Sequence, residues 1–447
     1  MSNQSGRSED AAGSAATDEP EQDDTSSDSG RFNQLFNGRL SSFNSLAIPN
    51  FRVLWLGMLF SMAAMQMNII SRSWLAYHIS GSGLALGLVA LGRGAPQLIL
   101  APIGGAAADR FDKRKLLIIS QFSLVVLSLA NAVLVQLHVI QIWHLVVIGF
   151  VQGIIFPFTM PTRTAYISDI VDEGRFSNAL ALDSTGRNLN RVVAPSLGGL
   201  LIAVSPTLAF YAIAIFYALA GLTLLRLPSA KSVQARSRGI MNDMMVGFRY
   251  LRANSTLMLL IGMAFVLILL GRPFQQLLPV FQIDVLHVGP TALGVMYTAV
   301  GVGAVFGSLA AVWAAESPNK RLIQLGAGVA IGVSLALFAF STNLVMALLF
   351  LVVVGFMTDG YFTINRILVM LETDKAFYGR VMSVYMMTWS LMPISLVPMG
   401  IMVDRVGAPI TVGIAGLLLA AFVTGITVFS PEIRRREKPV PTPAASD

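Results

Sequence analysis

Four arginines lie within stretches otherwise rich in Leu, Ile, Val, Ala, Gly and Phe: Arg93, Arg187, Arg191 and Arg272. A guanidinium stays charged and offers five N–H donors in a planar fork, which suits carboxylate, catecholate and phosphate oxygens. At the centre of a lipid-facing helix each would cost ~2.5–3.5 kcal/mol. Together they would consume about 10–14 kcal/mol, comparable to the ~5–15 kcal/mol that stabilises a typical domain. They are therefore expected to line a polar cavity or to meet counter-ions. Arg72, Arg163 and Arg366 lie nearer the ends of their stretches, where snorkelling to the interface is the expectation. Acids are scarcer. Asp183 shares a helical face with Arg187 and Arg191, at i, i+4 and i+8, so an Asp183–Arg187 pair is one expectation and a role in proton coupling the other. Asp359 stands apart from them, and a carboxyl buried in an apolar stretch can cycle between protonated and charged forms. Arginines outnumber acids in these stretches, which favours an anionic solute.

Other chemistries are absent from the sequence. His78, His138, His144 and His287 are scattered without metal-ligand spacing. No Gly-rich loop is followed by Lys and Ser/Thr, so ATP is not expected to be consumed. There is no cysteine, hence no disulfide and no thiol chemistry. Neither an enzyme nor a resident cofactor or metal is expected.

The elements that must position these charges are long apolar runs. The chain has 447 residues, 55% hydrophobic and 12% charged, whereas soluble domains carry about 25% charge. The runs are about 20 residues long, enough to cross a hydrocarbon core. They are placed at 51–77, 84–108, 115–137, 142–167, 177–204 and 207–227, then at 257–283, 291–314, 322–340, 344–371, 377–402 and 409–429. The predicted class is an all-α polytopic membrane protein with twelve transmembrane helices in two pseudo-symmetric six-helix bundles. Its domains are an acidic cytoplasmic tail (1–50), an N-terminal bundle (51–228), a basic linker (229–255), a C-terminal bundle (256–430) and a basic tail (431–447). The first 30 residues lack the large apolar groups that folding requires. Phe32, Leu35, Phe36, Leu40 and Phe43 recur at helical spacing beside Arg31 and Arg39, as in a helix lying on the inner leaflet or a loosely ordered lead-in.

Basic residues divide unevenly between the ends of the runs. With both termini in the cytoplasm, Arg110, Lys113, Arg114, Lys115, Lys320, Arg321, the linker and the tail cluster all fall inside, and Arg405 is the one base outside. Net charge is +7, but its placement is explained by topology, so nucleic acid is not an expected partner. The expected partners are the lipid bilayer of the cell membrane, protons and a small-molecule substrate, with the chain a monomer.

The two halves of the chain repeat. Ala85-Leu86-Gly87 recurs as Ala292-Leu293-Gly294, and the same displacement puts Asp109 on Glu316, Lys113 on Lys320 and Arg114 on Arg321. Pro195 and Pro398 pair at a similar displacement. Two like halves joined by a linker are the layout of a transporter that rocks about a central site. Pro157 and Pro161, Pro273 and Pro279, and Pro393 and Pro398 are expected to interrupt the fourth, seventh and eleventh spans.

Gly105, Asp109, Arg110, Lys113 and Arg114 resemble the loop 2–3 signature of the major facilitator superfamily, Gly-x-x-x-Asp-Arg-x-x-(Arg/Lys)-(Arg/Lys), with Asp112 where glycine is usual. The resemblance implies a conformational switch in which Asp109 meets the start of the eleventh helix. Arg380 is its expected partner, and Glu316 plays the mirror role at the start of helix five. Ala194-Pro195-Ser196-Leu197-Gly198-Gly199 resembles the core of the superfamily's antiporter motif, with Ala194 in place of its first glycine. Trp74-Leu75-Ala76-Tyr77, Pro161-Thr162-Arg163, Asn188-Leu189-Asn190-Arg191 and Gly379-Arg380-Val381-Met382-Ser383 look like the exporter branch that holds the enterobactin exporter and macrolide efflux pumps. That resemblance implies twelve helices, a tenth helix, with Asp359, lining the cavity, and proton-driven efflux. Met65 or Gln66 stands where that branch often has an acid. Two alternatives stay open at this stage. One is an importer of an organic anion or lipid-like solute, and the other is a membrane sensor on the same fold.

Overall fold

The computed structural model describes residues 44–229 and 240–429, with side chains placed over 45–101, 111–229 and 245–429. The described residues are almost entirely helical and contain no strand. In the first half of the chain the helices are α1 (Pro49–Ser80), α2 (Gly83–Arg110), α3 (Lys113–Gln136), α4 (Ile142–Ile170), α5 (Glu173–Val204) and α6 (Pro206–Leu225). α7 (Ile240–Ala253) belongs to the linker. The second half holds α8 (Ser255–Gly271), α9 (Phe274–Val280), α10 (Pro290–Glu316), α11 (Lys320–Ala339), α12 (Leu344–Leu371), α13 (Tyr378–Ser390), α14 (Met392–Val406) and α15 (Ala408–Phe429).

Among the described residues, eleven stretches are long and apolar enough to cross a membrane. The expected span at 177–204 is missing from that number, although α5 has 32 residues. Asp183, Arg187, Asn190 and Arg191 make it too polar. Its apolar residues instead gather on one face, where Leu189, Val193, Leu200 and Val204 are each more than half exposed. Large apolar side chains elsewhere turn outward in the same manner, among them Val126, Leu349 and Trp313. Water would punish such a surface, whereas lipid tails accept it. This is a multi-pass membrane protein.

Prolines act by position, not by presence. Pro157 and Pro161 lie inside an unbroken α4, contrary to the interruption expected there. Pro273 does end a helix, separating α8 from α9, and Pro393 sits in the first turn of α14, just after the break at Leu391. A proline lacks only a donor that the first turn leaves unused, so a helix can restart on it. The stretches expected as the seventh and eleventh spans are thus each broken into pieces.

Packing repeats between the halves. α2 lies on α4 and α3 on α6; in the same way α10 lies on α12 and α11 on α15. Besides smaller contacts of α9 with α1 and α2 and of α13 with α2, two larger contacts join the halves: α5 with α10, and α2 with α14. Both use glycine. A Cβ on Gly199 would lie 2.7 Å from Gly294, and one on Gly87 would lie 2.9 Å from the Val397 backbone. Gly87 and Gly294 are the repeated glycines of the two Ala-Leu-Gly runs, so the internal repeat marks the two seams.

Candidate functional site

Buried charge gathers in two places. The first is the seam. Arg191 of α5 donates from Nη1 to Asp359 Oδ1 of α12 at 2.8 Å. Arg272, at the α8–α9 break, brings Nη2 to 3.6 Å from Oδ2 of the same carboxylate. Arg272 is 5% exposed, and its guanidinium lies 5.0 Å from the Trp389 ring centre and 5.4 Å from that of Phe362. Aromatic faces stabilise a cation where water is absent. Asp359 is thus shared by one arginine from each half of the chain. Beside it, Ser196 and Thr298 hydroxyls meet at 2.7 Å, and Thr298 Oγ1 donates to the Val192 carbonyl at 2.7 Å. At the other seam Asp404 accepts the Ser82 hydroxyl at 2.7 Å and the Leu84 N–H at 3.1 Å, together with the Gly83 N–H. A carboxylate of α14 therefore caps the amino end of α2, where the helix dipole favours negative charge.

The second place is an open cavity within the first half. Asn68, Arg93, Gln152, Phe156, Arg163 and Tyr217 supply its polar and aromatic wall, and methionines fill much of the rest. Arg163 is 5% exposed, and its Nη1 has no hydrogen-bond partner. Gln152 accepts Arg72 Nη1 on Oε1 at 2.9 Å, which fixes the amide and leaves Nε2 without a partner. Asn68 Nδ2 is likewise unpartnered. Arg93 rests over the Phe156 ring at 5.3 Å. Arg72 is spent on structure: its Nη2 donates to the Val89 carbonyl at 2.8 Å, in a niche left open by Gly149. Among the described residues no carboxylate comes within ion-pair distance of Arg72, Arg93 or Arg163.

These positions revise the expectations in part. Of the four arginines expected to line a cavity or meet counter-ions, Arg93 lines the cavity; Arg191 and Arg272 hold Asp359, and Arg187 pairs with Asp183 and Ser184. Snorkelling fails for Arg72 and Arg163, which are both buried. A helical row explains them: Gln152, Phe156, Thr159 and Arg163 fall at i, i+4, i+7 and i+11 of α4, and Asn68 and Arg72 at i and i+4 of α1. Polar residues at that spacing inside apolar runs are the signal that could have found the cavity. Arg366, in contrast, is exposed.

The loop signature is partly described. Gly105, Asp109 and Arg110 have side chains outside the described residues, as does the expected Asp109–Arg380 contact; Arg380 itself lies over the Phe377 ring at 5.6 Å. Lys113 pairs with Asp169 at 2.6 Å, and Arg114 donates to the carbonyls of Leu224 and Leu225, capping α6. In the second half Arg321 pairs with Glu372. Each half thus ties the start of its third helix to the end of its fourth by one ion pair. Glu316 is exposed at the end of α10. Pro195 and Gly199 face α10, while Gly198 faces Met67 of α1. The acidic and basic tails and the residue 32–43 helix lie outside the described residues. No group of three or more metal-ligating side chains occurs among the described ones.

The comparisons with known proteins agree with this architecture. The multidrug efflux pump Tap of Mycolicibacterium fortuitum is 24% identical, over 82% of this chain and 92% of its own. The enterobactin exporter EntS of Shigella flexneri is 22% identical, over 89% of this chain and 96% of its own. In fold, the nucleoside transporter NupG superimposes with a TM-score of 0.66 at 16% identity, covering 87% of this chain and 99% of that one. The family profile described as transmembrane secretion effector matches residues 40–441. A match of that extent settles the family: the chain is a member of the transmembrane secretion effectors, with the fold of the major facilitator transporters.

Proposed function

We propose that this protein exports small organic molecules by alternating access and draws its energy from the proton gradient. The named activities of its relatives, a multidrug efflux pump and an enterobactin exporter, support the direction. The observation that carries the coupling is Asp359, held between Arg191 from one half and Arg272 from the other. A proton arriving on Asp359 cancels the charge that both guanidiniums face. Arg191 is then released, and the ionic tie from α5 to α12 beside the seam is lost. The glycine-lined contact can part, and the halves tilt about the cavity. On return, proton loss restores the triad. In this scheme α5 is the twelfth span. Its polarity by composition follows from its task, since one face meets lipid and the other carries the switch. Both termini then lie in the cytoplasm, and the bundles run as 51–228 and 256–430.

Inverted membrane vesicles with an acid interior test this directly. A panel of organic acids and cationic dyes is offered outside, and uptake is followed with and without the gradient. Gradient-dependent uptake by the native protein and none by Asp359→Asn, at equal protein level, is the expected result. Undiminished gradient-driven uptake by Asp359→Asn removes Asp359 from the mechanism. Because the chain has no cysteine, Ser5→Cys and Ser446→Cys report topology cleanly. Both should resist an impermeant maleimide in intact cells and react in inverted vesicles.

A further inference from the structure

We infer that the first-half cavity is a binding site for organic oxyanions that carry an aromatic or broad apolar body. The inference rests on the transport reading only in taking the bound anion to be the cargo. Three polar atoms on residues that line this space are buried without partners: Arg163 Nη1, Gln152 Nε2 and Asn68 Nδ2. All three are donors. Gln152 is not free to turn over and offer its oxygen, because Oε1 already accepts Arg72. Arg93 and Arg163 add two positive charges, and among the described residues no carboxylate balances either. A positive wall with idle donors is complementary to a group that accepts and is negative. A carboxylate, sulfonate or phenolate meets that description; an ammonium meets none of it. Phe156, Tyr217 and the methionines then give a ligand's ring an apolar bed, and Phe156 already lies against Arg93.

The seam triad makes this assignment specific to one place. There Asp359 satisfies Arg191 and leaves Arg272 only a few ångströms from charge balance. Arg272 Nε and Nη2 lack hydrogen-bond partners too, but a carboxylate stands beside them; at the first-half cavity the idle donors face no carboxylate among the described residues, so that is where an anion settles.

Calorimetry on the full chain in lipid nanodiscs tests the inference with three probes of one shape: 2-naphthoate, 2-naphthylmethanol and 2-naphthylmethylammonium. Naphthoate should bind at least tenfold more tightly than the alcohol, and the ammonium should give no heat. Arg163→Gln and Arg93→Gln should each weaken naphthoate at least tenfold, and Arg163→Lys should recover part of the loss. Arg366→Gln, on the exposed side of α12, should change nothing. Equal binding of the three probes, preference for the ammonium, or no binding of naphthoate below a millimolar overturns the inference, and the native protein alone decides among these. The transport reading fails separately. Naphthoate that binds with the predicted selectivity but is not moved by any gradient leaves the site standing and removes the exporter. Gradient-driven movement of cations alone does the reverse.

Discussion

The two arginine clusters use the same residue to opposite ends. At the seam, Asp359 lies between Arg191 and Arg272, and aromatic rings close over Arg272. In the first-half cavity, Arg93 and Arg163 share space with amides and a phenol, and among the described residues no acid answers them. A cluster that contains its own counter-ion holds the fold in one arrangement, because each charge is the other's reason to be buried. An unbalanced one costs stability and waits for a ligand. The difference separates a switch from a receptor within one membrane protein, and it predicts opposite responses to charge removal.

The largest response is expected at the seam. Asp359→Ala strands two guanidiniums, one of them 5% exposed, in a site built around a carboxylate. Removing one partner of a buried pair typically destabilises by ~3–5 kcal/mol. Chemical unfolding in mixed micelles should show a loss of that size. Adding Arg272→Met to Asp359→Ala should return about half of it. A loss under 1 kcal/mol would mean that the triad is ornamental.

Next comes the geometry that brings Arg191 to Asp359. Gly199→Val places a branched side chain where the first added atom would already lie 2.7 Å from Gly294. Overpacking of this kind costs about 1–3 kcal/mol. The variant pries α5 from α10 and so should abolish gradient-driven uptake. Naphthoate binding should stay within twofold of native, since the cavity lies wholly in the first half. Parallel loss of both would merge what the comparison separates.

The third response has the opposite sign. Arg163→Gln removes a buried, unbalanced charge, and the protein should become more stable by about 1–2 kcal/mol while losing its ligand. Stability gained at the expense of binding is the signature of a strained receptor site. Destabilisation instead would show that Arg163 has a structural duty like that of Arg72.

Much of this was legible in the residues. Apolar runs of membrane length gave the helices, and the Ala-Leu-Gly repeat pointed to positions that turn out to be the seams. Charges were conspicuous because so few interrupt the runs. What stayed hidden depends on neighbours far along the chain. Distance from a span end suggested that Arg72 and Arg163 snorkel, yet Gly149 of α4 opens a niche for Arg72, and the row on α4 draws Arg163 inward. The pairing of Arg272 with Asp359 and its cover of Phe362 and Trp389 join three separate stretches of sequence. Proline type alone also misled, because Pro157 inside α4 and Pro393 in the first turn of α14 differ only in register.

The smallest effect concerns the repeated ion pairs, and it tests whether the halves are equivalent in energy as well as in outline. Lys113–Asp169 and Arg321–Glu372 perform the same task, but their acids are more than a quarter exposed. Pairs open to solvent contribute about 0.2–1 kcal/mol each and weaken with salt. Asp169→Asn and Glu372→Gln should therefore lower stability by similar, sub-kilocalorie amounts, and the difference should shrink further in 0.5 M salt. Neither change should alter naphthoate affinity or the response to Asp359 protonation, because neither pair touches the cavity or the seam. If one substitution instead slowed gradient-driven uptake tenfold and the other did not, the two halves would carry unequal parts of the rocking motion. The half whose tie matters would then be the one that moves against a stationary partner.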